Sequence, residues 1–204
     1  CGGMTKAYPE RYGDGAYALR RLAPELVGER YVAWMADAEV TRFLQARFRR
    51  WDAESLRAFA AGFDYRDNFL FGIHEAASGT HVGTLTLRCN PHHQYGVIGF
   101  MLGDKAHWGR SAAKTAITAA LDFAFFERRL RKVTATTFEN HAVSNHIFTS
   151  LGFRMDGVVP DLLWNEGQYV GEMHFSLDAG EWAARRGKAL PAPPAPPVDA
   201  VGAR

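Results

Sequence analysis

Cysteine is almost absent from this chain, since only Cys1 and Cys89 occur among its 204 residues. So low a count leaves no framework of disulfides and no cluster of thiolate ligands for a metal. Cys89 stands alone near a predicted strand end, where a cysteine more often packs as a small residue than acts as a nucleophile. We therefore expect a reducing, cytoplasmic setting and no metal ion.

Long apolar runs and blocks of basic charge are missing as well. No stretch approaches the roughly eighteen apolar residues of a membrane span, and the N-terminus lacks the apolar core of a signal peptide. The formal net charge is only +2, so neither a nucleic acid nor a membrane is expected as a partner. The densest basic cluster, Arg47, Arg49 and Arg50, is typical of a solvated helix end, although it could guide an anionic cofactor.

What the chain does contain is ordinary for one globular domain, with 47% hydrophobic and 23% charged residues. Residues 1–3 precede Met4, and we interpret them as a remnant of cloning. Residues 4–188 are then the domain. Residues 189–204 are rich in proline and alanine and bury too little apolar surface to fold, so we expect a disordered tail.

Apolar periodicity and turn residues predict a mixed α/β sheet in that domain, in the order β-α-α-α-β-β-β-α-β-α-β-β. No internal repeat is present. The predicted strands span 17–22, 69–74, 81–89, 95–102, 132–138, 153–164 and 168–177, and the predicted helices span 24–36, 37–44, 52–63, 109–129 and 141–150.

The junction from Gly99 to Ala113 is the most informative stretch of the sequence. An apolar strand runs into a loop of small and polar residues, and a helix opens directly afterwards. Such a junction presents unpaired backbone N–H groups and the positive end of a helix. A plain helix start after a tight turn would read the same way, but a phosphate group is the ligand that this arrangement favours.

The stretch 108–113, Trp-Gly-Arg-Ser-Ala-Ala, resembles the phosphate loop of the GNAT acetyltransferase superfamily. The segment 140–153 is similar to that family's coenzyme-flanking helix, and 34–44 is similar to its RimJ/RimL-like branch. The resemblance extends over 17–177. It implies a single-domain α/β fold with a central splayed, mostly antiparallel sheet flanked by helices, and acetyl-CoA as the cofactor. The residues implied to bind coenzyme A are Phe100, Met101, Leu102, Trp108, Gly109, Arg110, Ser111, Ala112, Ala113, Asn140, Ser144, Asn145 and Phe148.

The same resemblance suggests which residues move protons. Ser144 occupies the place of a family serine or alanine, and His141 opens the same helix, where an imidazole could accept a proton near neutral pH. Ala106 and His141 differ from the family's usual Gln/Arg and Asn. Three further departures remove something that the active pattern favours: Ser111 replaces a glycine or alanine, Val97 a glutamate, and Phe148 the tyrosine that protonates the leaving thiolate. The base stays open between direct loss of the proton to water and a set of side chains, namely His74, His92, His93, His141, Glu75 and Glu172.

The acceptor pocket is predicted between the early helices and the final hairpin, with Phe43, Arg47, Trp51 and Trp164 as lining. The resulting hypothesis is acetyl transfer to a primary amine, either of a small molecule such as an amino sugar or antibiotic, or of a protein or peptide N-terminus. A homodimer is compatible with it. The alternative is a non-catalytic acyl-CoA-binding module of the same fold, which the three departures favour.

Overall fold

Within the part of the chain that the structure describes, the fold is an open eight-stranded sheet with six α-helices. The computed structural model describes residues 11–192, so the expectations for residues 1–3 and for most of the tail lie outside the described residues. The strands are β1 (Arg11–Tyr12), β2 (Tyr17–Arg21), β3 (Asn68–Glu75), β4 (His81–Asn90), β5 (Tyr95–Leu102), β6 (Lys132–Phe138), β7 (Arg154–Asn165) and β8 (Gln168–Asp178). The helices are α1 (Glu29–Ala36), α2 (Ala38–Thr41), α3 (Ala53–Ala61), α4 (Ala112–Asp122), α5 (Ala142–Leu151) and α6 (Ala179–Arg186).

The predicted class, a mixed and mostly antiparallel α/β sheet, is confirmed. Three predicted helices have wrong boundaries. The helix predicted over 37–44 spans only Ala38–Thr41. Pro24–Leu26 forms a separate 3-10 turn, and α1 begins only at Glu29. The helix predicted over 109–129 begins at Ala112 and changes to a π-helical turn at Phe123. The sequence pattern missed β1 and α6, because two residues of strand and two turns of helix are too short to show a period.

Apolar side chains pack on both faces of the sheet. On β3, Phe69, Phe71 and Ile73 belong to the core beneath α4, whereas Leu70 belongs to the core beneath α1 and α3. Successive strand residues point to opposite faces, which explains this alternation. The sheet therefore lies between α1–α3 on one side and α4–α6 on the other. Within residues 11–192, none of the helices has the length and apolarity that crossing a bilayer requires.

The sheet splits between its two central strands. The strand order is β1-β2-β3-β4-β5-β6-β8-β7, and only β5 and β6 pair in parallel. Their ladder has three Cα pairs, from Tyr95↔Lys132 to Val97↔Thr134. Beyond it, β5 remains paired with β4 and β6 with β8. Residues 98–102 and 135–138 consequently face each other across a gap, each strand with one edge outside the ladder.

Candidate active site

A groove of about 1060 Å³ opens where the sheet splits. Its floor consists of the separated ends of β5 and β6, the start of α4 closes one end, and α5 and the segment after α2 form its walls. The structure therefore brings together most of the residues that the sequence singles out. Those lining the groove are Phe43, Phe100, Met101, Leu102, Trp108, Gly109, Ser111, Ala112, Ala113, Asn140, His141, Ser144 and Phe148.

The loop between β5 and α4 exposes backbone donors to this groove. Gly109 and Ser111 bend the loop, with φ of 73° and 61°, and the indole of Trp108 donates to the last carbonyl of β5 at 2.9 Å. Within residues 11–192, the amides of Ser111, Ala112 and Ala113 donate to no backbone carbonyl. These free N–H groups stand at the positive end of α4, which is the environment that binds phosphate.

Ser144 and His141 reach the groove from α5 and its N-cap. Ser144 is 5% exposed, and its hydroxyl forms no hydrogen bond with another described residue. The ring of His141 lies 4.0 Å from that of Phe43, measured between centroids. Burial, and secondarily the positive charge of Arg42, lower the pKa of His141 from 6.5 to about 4. A group with so low a pKa is a weak proton acceptor at pH 7, so the structure gives His141 little support as a base.

A carboxylate enters the groove from β8. Glu172 is opposite Phe138 in the β6–β8 ladder and lines the groove, and its side chain is 21% exposed. His174 Nε2 lies 3.1 Å from Glu172 Oε2, although the two are not aligned as a hydrogen bond. Sequence reasoning placed Glu172 only among six candidate bases, because nothing in a strand sequence shows which alternate residue will face a gap in the sheet.

Three of the predicted coenzyme contacts, Asn145, Arg110 and Phe148, are not placed as exposed polar contacts inside the groove. Asn145 accepts a hydrogen bond from Thr137 and donates to the carbonyl of Glu139 at 2.9 Å, so it fixes α5 to the end of β6 and does not line the groove. Arg110 is exposed beside the groove, outside its lining. Phe148 is 2% exposed and packs among three other phenylalanines. It forms part of the wall and offers no proton.

Three of the four predicted acceptor residues line one of two cavities. Phe43 lines the groove, whereas Arg47 and Trp51 line an adjoining cavity. Trp164 is 46% exposed and lines neither. The guanidinium of Arg47 donates to Asn165 Oδ1 at 2.6 Å and to the carbonyl of Trp164, so it ties the segment after α2 to the β7–β8 hairpin.

Comparison with known proteins assigns this arrangement to a family. Residues 18–154 match the family described as the acetyltransferase (GNAT) domain. The chain belongs to the GNAT acetyltransferase family. The uncharacterized N-acetyltransferase p20 of Bacillus licheniformis is 29% identical over 86 residues, 42% of this chain and 48% of p20. The probable N-acetyltransferase YjcK of Bacillus subtilis is 29% identical over 94 residues, 45% of this chain and 51% of YjcK. The chain thus matches about half the length of these curated relatives.

Solved structures show the same fold. RimL, a ribosomal-protein α-N-acetyltransferase in complex with coenzyme A, superposes with a TM-score of 0.73 at 14% identity, covering 82% of this chain and 97% of RimL. The spermidine N-acetyltransferase of Vibrio cholerae, in complex with coenzyme A and spermine, gives 0.73 at 16% identity, covering 83% and 99%. At these identities the likeness concerns the fold, and coenzyme A use is the expectation for the family.

Proposed function

We propose that this GNAT chain transfers the acetyl group of acetyl-CoA to an amine. The gap between β5 and β6, which ends at the free amides of residues 111–113, carries the proposal. A pantetheine arm contains amide groups that can pair with a strand edge as an added strand does. Its pyrophosphate suits the amides at the start of α4. Two distant parts of one ligand therefore find matching partners along a single groove.

Acetyl-CoA supplies the acetyl group as a thioester, and side chains of this protein would transfer the protons. An ammonium has no lone pair, so the acceptor must lose a proton before it attacks. Glu172 is our candidate for taking that proton, directly or through a water. Ser144 is our candidate for donating one to the departing sulfur, since Phe148 cannot. A backbone N–H on the free edge of β5 can stabilise charge on the carbonyl oxygen.

A module that binds acyl-CoA without turnover is the second candidate. The weak basicity of His141 and the absence of an acid at Phe148 favour it. A carboxylate at Glu172 and an unengaged hydroxyl at Ser144, both lining the groove, favour catalysis. The acceptor, the cytoplasmic setting and a homodimer stay predictions.

Release of free thiol from acetyl-CoA over a panel of small amines and peptide N-termini tests the proposal, with coenzyme A affinity measured in parallel by calorimetry. Thiol release that requires both acetyl-CoA and an amine supports the transferase. Binding with no turnover on any amine would support the module instead. A chain that binds no coenzyme A would contradict both.

The proton-transfer roles predict distinct losses. Glu172→Gln should lower kcat/KM about 100-fold, because proton transfer is worth roughly 10²–10⁴ in rate. Ser144→Ala should lower kcat more than it changes coenzyme A affinity. Glu54→Gln, an exposed first-turn residue of α3, is the matched control and should leave the rate unchanged. Full activity in Glu172→Gln would assign the proton to bulk water.

A further inference from the structure

A second cavity, of about 730 Å³, adjoins the groove beside α2. Its lining is electrostatically unbalanced, because it includes four arginines and a single acidic residue, Glu166. The whole chain carries a net charge of only +2, so this is a local concentration of positive charge. Phe48 and Trp51 add flat apolar surface. The four arginines are Arg42, Arg47, Arg49 and Arg50.

Two of the four arginines are engaged within the protein. Arg42 Nη2 lies 2.6 Å from Glu166 Oε2 in an exposed ion pair. Arg47 donates to Asn165 and to backbone carbonyls on both sides of the cavity. Both therefore help to hold the segment after α2 against the β7–β8 hairpin, and their positions frame the cavity.

The other two arginines form no ion pair. Neither Arg49 nor Arg50 lies within ion-pair distance of a carboxylate in the described part of the chain. The pKa of Asp52 is lowered by hydrogen bonds with Ser55 and, more weakly, by the charge of Arg49. The guanidinium of Arg49 lies 4.4 Å from the centroid of the Trp51 ring, which presents it as a flat, oriented donor surface. The next residue, Asp52, directs its carboxylate to Ser55 at the N-cap of α3. Arg49 and Arg50 can therefore form ion pairs with an anionic group of a bound ligand.

This cavity and the groove share one lining residue. Arg42 lines both spaces. Its guanidinium lies 4.9 Å from the centroid of Phe43, and Phe43 in turn contacts His141 inside the groove. Arg42 therefore marks where the two spaces adjoin, and a molecule with its amine in the groove would reach the arginine-lined cavity beside this residue.

We infer that the acceptor is an amine whose remainder carries an anionic group, a carboxylate or a phosphate, bound by Arg49 and Arg50. The inference rests on the proposed acetyl transfer and names its substrate class. Guanidinium groups recognise both anions through paired, charge-assisted hydrogen bonds. A polyamine would meet like charge at this cavity. The sequence feature involved is the basic cluster that composition alone assigned to a solvated helix end.

Matched acceptors test the inference. The tripeptide amides Ser-Asp-Asp, Ser-Asn-Asn and Ser-Lys-Lys share one N-terminal amine and differ in side-chain charge, and a phosphoserine version separates phosphate from carboxylate. β-Alanine and β-alaninamide repeat the comparison with small molecules. We expect kcat/KM at least tenfold higher for the acidic member of a series than for its neutral partner, chiefly through KM, and a smaller difference at high salt.

The variants decide whether these two arginines are responsible. Arg49→Gln combined with Arg50→Gln should abolish the preference and leave coenzyme A affinity unchanged. Arg57→Gln, an exposed arginine on α3 outside the cavity lining, should retain it. Equal kcat/KM for acidic, neutral and basic acceptors in both series would overturn the inference, even while the transferase activity stands.

A binding measurement separates this inference from the proposed function. Protein saturated with coenzyme A is titrated with the N-acetylated forms of the acidic and neutral peptides, and calorimetry measures their affinity. Tighter binding of the acidic peptide, lost in the double variant, supports the cavity even if no acceptor is turned over. Equal affinity for the two peptides contradicts it.

Discussion

The surroundings of His81 change the pKa of its side chain. It is stacked on His74 at 4.9 Å between ring centroids, beside Trp34. Burial, and then the charge of His74, lower the pKa of His81 from 6.5 to about 4. No feature of the sequence marks this pair, because its members come together only when β3 and β4 align.

The lowered pKa of His81 predicts acid sensitivity. Between pH 6.5 and 4, His81 is protonated in the unfolded chain but neutral in the folded chain. Folding stability is therefore highest above pH 6.5, and it falls as the pH is lowered toward 4. We expect a loss of about 1–2 kcal/mol from His81 between pH 7 and pH 5. His81→Gln should flatten that part of the urea-unfolding profile, whereas the exposed His92→Gln should not. Identical pH profiles for wild type and His81→Gln would refute the assignment.

At the scale of elements, the loop between β5 and α4 can be tested against a matched turn. Gly109 (φ 73°) and Gly79 (φ 72°) both have positive φ, and no atom lies within 4 Å of a Cβ added at either. Alanine at either position should therefore cost about 1 kcal/mol of folding stability through backbone strain alone. Only Gly109→Ala should also weaken coenzyme A binding, since Gly79 lies in the β3–β4 turn. Equal coenzyme A affinity in the two variants would remove Gly109 from the phosphate loop.

The elements also show what sequence reasoning can reach. Periodicity and turn residues predicted the sheet strands from Tyr17 onward, and the small residues at 109–113 predicted where donors are exposed. What escaped prediction depends on which side chains the fold brings together. The sequence predicts Asn145 as a coenzyme contact, yet its side chain forms hydrogen bonds to Thr137 and to the carbonyl of Glu139 at the end of β6. Arg47 reads as a substrate residue, yet it bonds Asn165, 118 positions away.

At the scale of the whole molecule, the split sheet predicts that a bound ligand will occupy the gap between β5 and β6 and protect the unpaired edge of β5. Hydrogen exchange should slow at residues 98–102 when coenzyme A is added, because a pantetheine arm pairs with that edge of β5. A fragment of coenzyme A that lacks the arm should protect residues 111–113 but not 98–102. Mass spectrometry of exchanged peptides distinguishes the two. Unaltered exchange at 98–102 with saturating coenzyme A would mean that the gap is not where the arm lies.

The contacts between the segment after α2 and the β7–β8 hairpin also affect the order in which the protein folds during synthesis. Arg42 and Glu166 are 124 positions apart, and the contacts of Arg47 span nearly as far. Loop closure over such separations comes late, since the intervening chain must be ordered first. A nascent polypeptide can fold its first strands while still on the ribosome. The proposed acceptor cavity gains its second wall only after the β7–β8 hairpin has left the exit tunnel, so the cavity forms well after the first strands have been made.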